Sequence, residues 1–192
     1  LEGFELQDIL PALQAWRYRN KLEYSFGEEG GELVCGFHAP AGGNRVTPIE
    51  DCLLASALGN RARELALGWC RAEGLRAWDR GAGGGRSGRD GDRSERTRPA
   101  PDGRARLRNL VVREGRVPER LQIRIVTTDG ELDAGSLAAT LSQGLGESLS
   151  GVLWTRSRSL AETTAGGDTE LVWGEAELPE RLCGLDLRIS SE

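Results

Sequence analysis

Trp16-Arg17-Tyr18-Arg19-Asn20-Lys21-Leu22-Glu23-Tyr24-Ser25-Phe26-Gly27 is the stretch on which the fold turns, together with the return segment Leu33-Val34-Cys35-Gly36-Phe37-His38. Leu22, Tyr24 and Phe26 fall on one face of an extended chain, and Lys21, Glu23 and Ser25 fall on the other. That two-residue period predicts a half-buried strand over 16–27. Glu28-Glu29-Gly30-Gly31 supplies the hairpin turn that sends 33–38 back alongside it. Pro40 and Gly42-Gly43 break the second strand, and Arg45-Val46 resumes it briefly.

Outward from the hairpin, residues 1–15 read as an extended lead-in with one helical turn, interrupted at Pro11. Thr47-Pro48-Ile49-Glu50 has the form of a capping box with proline at the first helical position, and Asp51 is a second candidate cap. Leu54, Leu58, Leu65, Trp69 and Ala72 then recur at helical spacing up to a stop at Gly74. Two strands follow at 107–114 and 121–127, joined through 115–120. A helix capped by Asp133 carries Leu137, Leu141 and Leu145 on one face. Strands at 151–155, 169–173 and 184–189 complete the order ββ-α-ββ-α-βββ. Short hairpin connections make this an α+β fold: an antiparallel sheet with two helices on one face.

Residues 80–106 are a different material. They consist of Gly, Arg, Ser, Asp, Pro, Thr, Glu and Ala, with eight arginines against four acids, and nothing in them can anchor a core. They predict a flexible insertion. The chain as a whole has 192 residues and a net charge of −5, so the rest of it is strongly acidic. Hydrophobic residues at 38% and charged residues at 29% exclude disorder throughout. No apolar run approaches the ~20 residues of a membrane span. Cys35, Cys52, Cys70 and Cys183 are widely spaced with no CxxC pair, which predicts reduced thiols and an intracellular, cytoplasmic setting. The chain lacks methionine, opens on Leu1-Glu2-Gly3 and closes on a strand, and so reads as a segment of a longer protein.

The rare side chains gather in one place. Residues 16–38 hold the only lysine (Lys21), the only histidine (His38) and both tyrosines. Every other basic residue is arginine, so Lys21 marks a position where an ammonium is used in place of a guanidinium. Cations interleaved with aromatics suit single-stranded nucleic acid, because arginine and lysine neutralise phosphate while flat rings stack on unpaired bases. The same pattern also describes a strand with aromatics in the core and cations in water. His38 alone supports no catalytic triad. Gly81 to Gly85 follows no strand and is no phosphate cradle. Cys35 and Cys70, among apolar neighbours, read as buried thiols.

Tyr18-Arg19-Asn20-Lys21-Leu22-Glu23-Tyr24-Ser25-Phe26-Gly27 resembles the YRNK-x-E-[FY]-x-F-G motif of the RNA uracil-5 methyltransferases, which form 5-methyluridine in tRNA or rRNA. The likeness continues in order. Gly36-Phe37-His38 is similar to the family's G-[FL]-H step. Asp51-Cys52-Leu53-Leu54 resembles its DC-x-L segment. Leu107-Arg108-Asn109-Leu110-Val111-Val112-Arg113-Glu114-Gly115 resembles its LRNLVIREG strand. Gly184-Leu185-Asp186-Leu187-Arg188-Ile189-Ser190 resembles the GL-x-F-x-IS strand that precedes its FFQ-x-N motif.

The resemblance implies an S-adenosylmethionine-dependent enzyme in which a cysteine adds to uridine C6, C5 takes the methyl group, and a base removes the C5 proton. It also implies that the nucleophile, base and cofactor fold lie beyond residue 192. This chain is then the RNA-holding central domain over 1–192, inactive by itself and with no catalytic residue of its own. Arg19, Asn20 and Lys21 are the expected RNA contacts, with Arg108 and Arg113 behind them. Cys52 matches the fourth ligand of a [4Fe–4S] cluster that many members carry, but the other three, an upstream cysteine group, are absent from this sequence, so the cluster is expected in the longer parent only and Cys52 is expected to be an ordinary thiol here. The implied partner is RNA, with no DNA or membrane role, and the chain is expected to be a monomer. The competing expectation is a self-contained α+β module whose cationic strand has no RNA role.

Overall fold

A computed structural model describes residues 3–11, 13–40, 45–79, 100–161 and 163–191. Its elements are β1 (Lys21–Glu29), β2 (Glu32–His38), β3 (Val46–Pro48), α1 (Ala57–Ala72), β4 (Leu107–Arg116), β5 (Glu119–Thr127), α2 (Ala134–Leu145), β6 (Leu149–Arg156), β7 (Asp168–Gly174), β8 (Leu178–Leu182) and β9 (Leu185–Ile189). Seven strands form one sheet in the order β3-β2-β1-β4-β5-β6-β7, and β8 and β9 form a separate ribbon. The α+β class holds.

The hairpin at Gly30-Gly31 closes as its glycines allow. Both have positive φ (61° and 86°), the mirror-image turn whose twist suits antiparallel strands. Leu22, Tyr24 and Phe26 face the core with Cys35, Leu110, Val112, Ile123 and Ile125. Both helices pack into the same core. Helix α1 buries its small residues Ala62 and Ala66 beside Trp69 and Cys70, and leaves Leu58 and Leu65 partly exposed. Small side chains let its backbone come close to the sheet. Helix α2 buries Leu137, Leu141 and Leu145, and Asp133 Oδ1 accepts from the Ser136 N–H at 2.9 Å.

Several expectations need correction. Strand β1 begins at Lys21, not at residue 16, because the preceding turns run beside 53–54: the Arg17 N–H donates to Leu53 O and the Arg19 N–H to Leu54 O. Thr47-Pro48 does not open a helix. It forms edge strand β3 against Phe37 and Gly36, where a proline costs no ladder bond. Ser56 caps α1 instead, its Oγ accepting from the Gly59 N–H at 2.8 Å, while Asp51 serves Arg17 and Asn60. The sheet is not wholly antiparallel. Strands β5 and β6 run parallel because α2 is the crossover between them. Strand β8 carries Pro179 and pairs only with β9, so no period in the sequence marks it.

The expected insertion 80–106 also ends earlier than its composition implied. Residues 80–99 lie outside the described residues. Residues 100–106 are built into the fold through backbone bonds that do not require large side chains: Ala105 is fully buried and its N–H donates to Glu131 O, while the Glu131 N–H donates to Gly103 O. A Cβ on Gly130 would lie 2.5 Å from Ala105 N, so this close passage requires glycine.

The far side of the sheet is covered as well. Gln122 and Arg124 point away from the helices yet are 2% exposed. Gln122 Nε2 donates to Ala176 O, Leu178 of β8 is fully buried, and the turns after β6 lie over β4.

Candidate nucleic-acid interface

At the start of β1 the chain presents a corner of cations and aromatics. Trp16 and Tyr18 are exposed, as are Arg19 and Asn20. Their backbone is fixed: beyond the two bonds to 53–54, Asn20 O accepts from the Glu114 N–H at 2.7 Å. Arg17, at φ 57°, turns its guanidinium back to Asp51 (2.9 and 3.2 Å) and Ala55 O (3.0 Å). The hydrogen bond it donates to Asp51 holds Arg17 above its ordinary pKa, against a smaller opposing effect of burial. Arg17 thus fixes the corner, and Arg19 and Asn20 project from a pinned loop. Sequence reasoning missed Arg17 and Arg116, whose Nη2 donates to Arg17 O at 3.1 Å. The signal was present, since Arg17 stands between the aromatics Trp16 and Tyr18, immediately before the motif.

Lys21 is half-exposed and pairs with Glu23 Oε1 at 2.6 Å, as residues two apart on one strand face can. Burial raises the Glu23 carboxyl, but the hydrogen bond from Lys21, a further bond with Thr164 and the charge of Arg124 leave it below the usual carboxylate range. Across the ladder Lys21 stands opposite Arg113, whose Nη1 donates to Ser190 O at 3.0 Å. Burial lowers the Arg113 guanidinium, opposed by Glu23. Arg19, Asn20, Lys21 and Arg113 are therefore brought together.

Arg108 is not part of that group. It is 4% exposed and donates to Ser157 Oγ, Ser159 O and Ala161 O, with its guanidinium carbon 4.2 Å from the centre of the Trp78 ring. The register explains why. Leu107 and Leu110 both face the core, which requires one extra residue between them, and the ladder slips there. This bulge turns Arg108 inward over the far face of the sheet, under the turns at 157–161, where it is a structural tie and not a surface cation.

Cys52 lies in the apolar core at 5% exposure, its N–H donating to Asn60 Oδ1. Among the described residues no three His, Cys, Asp or Glu side chains lie close enough to hold a metal ion. Burial pushes the Cys35 thiol up to about 12 and Cys70 higher still, as expected of core thiols.

No protein-family model matches the chain. It is 28% identical over 195 residues to an uncharacterised RNA methyltransferase of Clostridium acetobutylicum, covering 99% of this chain and 38% of that protein. An uncharacterised RNA methyltransferase of Chlorobaculum tepidum is 27% identical over 215 residues, covering 98% and 39%. The chain is similar over nearly its whole length to part of these RNA methyltransferases. It spans under two fifths of the length of these relatives. Its fold is that of part of the Pyrococcus abyssi tRNA (uracil-54, C5)-methyltransferase, solved in complex with S-adenosyl-L-homocysteine, with a TM-score of 0.68 at 20% identity over 95% of this chain and 37% of that one. No helix among the described residues is long and apolar enough to cross a membrane.

Proposed function

We propose that this chain is the RNA-holding central domain of an S-adenosylmethionine-dependent RNA uracil-5 methyltransferase that forms 5-methyluridine in tRNA or rRNA, the cofactor and the reacting groups being held outside the residues described here. The observation that carries this reading is the pinned corner at 16–21. Its motif is that of the family, its backbone is tied to 53–54 and to β4, and its exposed side chains are Trp16, Tyr18, Arg19 and Asn20. Such a surface positions phosphates and stacks unpaired bases without specifying sequence, which is the task left to a domain with no catalytic group. Lys21 and Arg113 add charge beside it. Arg108 is withdrawn from the contact set.

The direct test is single-stranded RNA binding by the 192-residue chain, read by fluorescence anisotropy. Arg19→Ala should weaken binding about tenfold, as expected for loss of a charge-assisted contact, and should reduce the salt slope by about one. Its melting temperature should stay close to that of the parent chain, because Arg19 is exposed. Lys21→Ala should act in the same direction but less strongly, since Lys21 already holds Glu23. Stability lost with RNA affinity intact would return the chain to a structural module with no RNA role.

A further inference from the structure

A second feature lies about 15 Å along β1 from Lys21, at the usual rise per strand residue. Strand β1 pairs with β4 only from Lys21 to Ser25, and beyond that it follows β2 alone. The vacated edge of β4 is taken by residues 76–78: the Trp78 N–H donates to Leu107 O at 2.7 Å and the Leu107 N–H to Arg76 O at 2.9 Å. Where the two neighbours part, a cleft of about 510 Å³ opens, with Ser25, Asn109, His38 and Trp78 among its lining residues. That is within the range of small-molecule sites.

The bulge at Arg108 makes this cleft possible. It puts Arg108 and Asn109 in succession on the cleft side, with Leu107 and Leu110 in the core. Arg108, tied by three oxygens, lies over the Trp78 ring and fixes it. The ring is half-buried and lines the cleft. Asn109 Nδ2 donates to Ser25 Oγ at 3.3 Å, which orients the carboxamide so that its carbonyl oxygen can accept from a ligand. At the rim Arg76 holds Glu28 through two 2.6 Å contacts with 61% of its side chain exposed, and Arg106 holds Asp102 at 2.9 Å. Arg76 keeps most of its side chain in water, so a phosphate can compete with Glu28 for its guanidinium, while Arg106, largely covered, stays with Asp102 and adds positive charge. Glu28 and Asp79 are acceptors for a ribose 2′-hydroxyl.

A rigid indole, an oriented carboxamide, an exchangeable arginine and carboxylate acceptors are what one unpaired ribonucleotide needs. We propose that this cleft is a second RNA contact, separate from the corner at 16–21, which takes one unpaired nucleotide with its base stacked on Trp78 and its edge met by Asn109. The proposal rests on the RNA-binding reading above and adds a place and a preference for single strands.

The probe is 5′-labelled hexauridylate, with a blunt RNA duplex of equal length and hexathymidylate as comparisons, all titrated against the 192-residue chain. Trp78→Leu and Asn109→Asp should each weaken hexauridylate binding about tenfold, in line with loss of one stacked base or introduction of a repelling carboxylate. Duplex binding should be unchanged, and hexathymidylate should bind more weakly than hexauridylate throughout. Trp78→Phe keeps a ring beneath Arg108 and should retain most of the affinity. If Trp78→Leu lowers the melting temperature, Asn109→Asp decides the matter, since aspartate can still accept from Ser25. Free uridine monophosphate that competes at stoichiometric concentration would assign the cleft to a free nucleotide and overturn the RNA assignment. Folded Trp78→Leu and Asn109→Asp chains that bind hexauridylate as tightly as the parent would overturn the cleft proposal and leave the corner at 16–21 standing. A parent chain that binds no RNA would overturn both.

Discussion

Arg108 and Arg19 sit in motifs of equal basic character, and their fates are opposite. Arg108 is enclosed and bonded to carbonyl and hydroxyl oxygens, so Arg108→Ala leaves buried acceptors without donors and should cost more than about 2 kcal/mol, read by thermal or urea unfolding. Arg108→Lys should not rescue it, because a single ammonium cannot reach the same oxygens and lie flat on Trp78. Residue types in the sequence announce cations and aromatics, and the motif at 18–27 gave their place in the fold. Which cations are buried was not legible, because strand alternation treats 107–114 as regular and the bulge that reverses Arg108 arises only in the pairing of β4 with β5. A pH effect also belongs to single residues. The Arg76 hydrogen bond holds Glu28 below the usual carboxylate range, outweighing burial. A carboxyl lowered in the folded state stabilises fully above its unfolded value of ~4.3 and stops doing so as pH falls through the folded value. Arg76→Gln should therefore melt slightly below the parent at neutral pH, and the gap should close as pH falls through the lowered folded-state value of Glu28.

At the level of elements, the long periodic pieces were readable and the short ones were not. The β1–β2 hairpin, the β4–β5 pair and α2 with its Asp133 cap form where their patterns predict, because each is stabilised by local turn chemistry and a continuous apolar face. The start of α1 was misread, since a perfect capping box at 47–50 loses to pairing with β2 that only the folded sheet supplies. Two substitutions separate these readings: Ser56→Ala should cost about 1 kcal/mol as a lost cap, and Thr47→Ala should leave helix content unchanged by circular dichroism. Strand β3 is also why residue 36 is glycine. A Cβ there would stand 1.9 Å from Thr47 O, a backbone atom that cannot swing aside. Gly36→Ala should cost at least ~1–3 kcal/mol in urea melts and detach β3. The parallel β5–β6 pair was likewise hidden, because periodicity reports which face a strand buries and says nothing of the direction of its neighbour.

Across the whole molecule, the polypeptide crosses only once between the two parts of the sheet, from residue 79 to residue 100. One part holds β1, β2, β3 and α1, and the other holds β4 to β9 and α2. The bonds that join 76–78 to Leu107 brace the two ends of that crossing. Residues 81–98 carry no apolar side chain larger than alanine, so deleting them should leave the melting temperature nearly unchanged. Deleting 81–106 removes Ala105 and its ladder to Glu131, and should lower the melting temperature by many degrees. The seam itself, β1 from Lys21 to Ser25 against β4 with α1 against α2, joins two parts that each hold a hairpin and a helix of their own. Most contacts between elements fall within one part or the other, so each part can begin to order before the seam closes, and closing it is an encounter between partly formed surfaces. An encounter of that kind does not require a covalent tether. Separately expressed 1–79 and 100–192 should reassociate when mixed, migrating as one species on gel filtration with a sheet signal larger than the sum of the two separate halves, and with a yield that depends on concentration as a bimolecular reaction must.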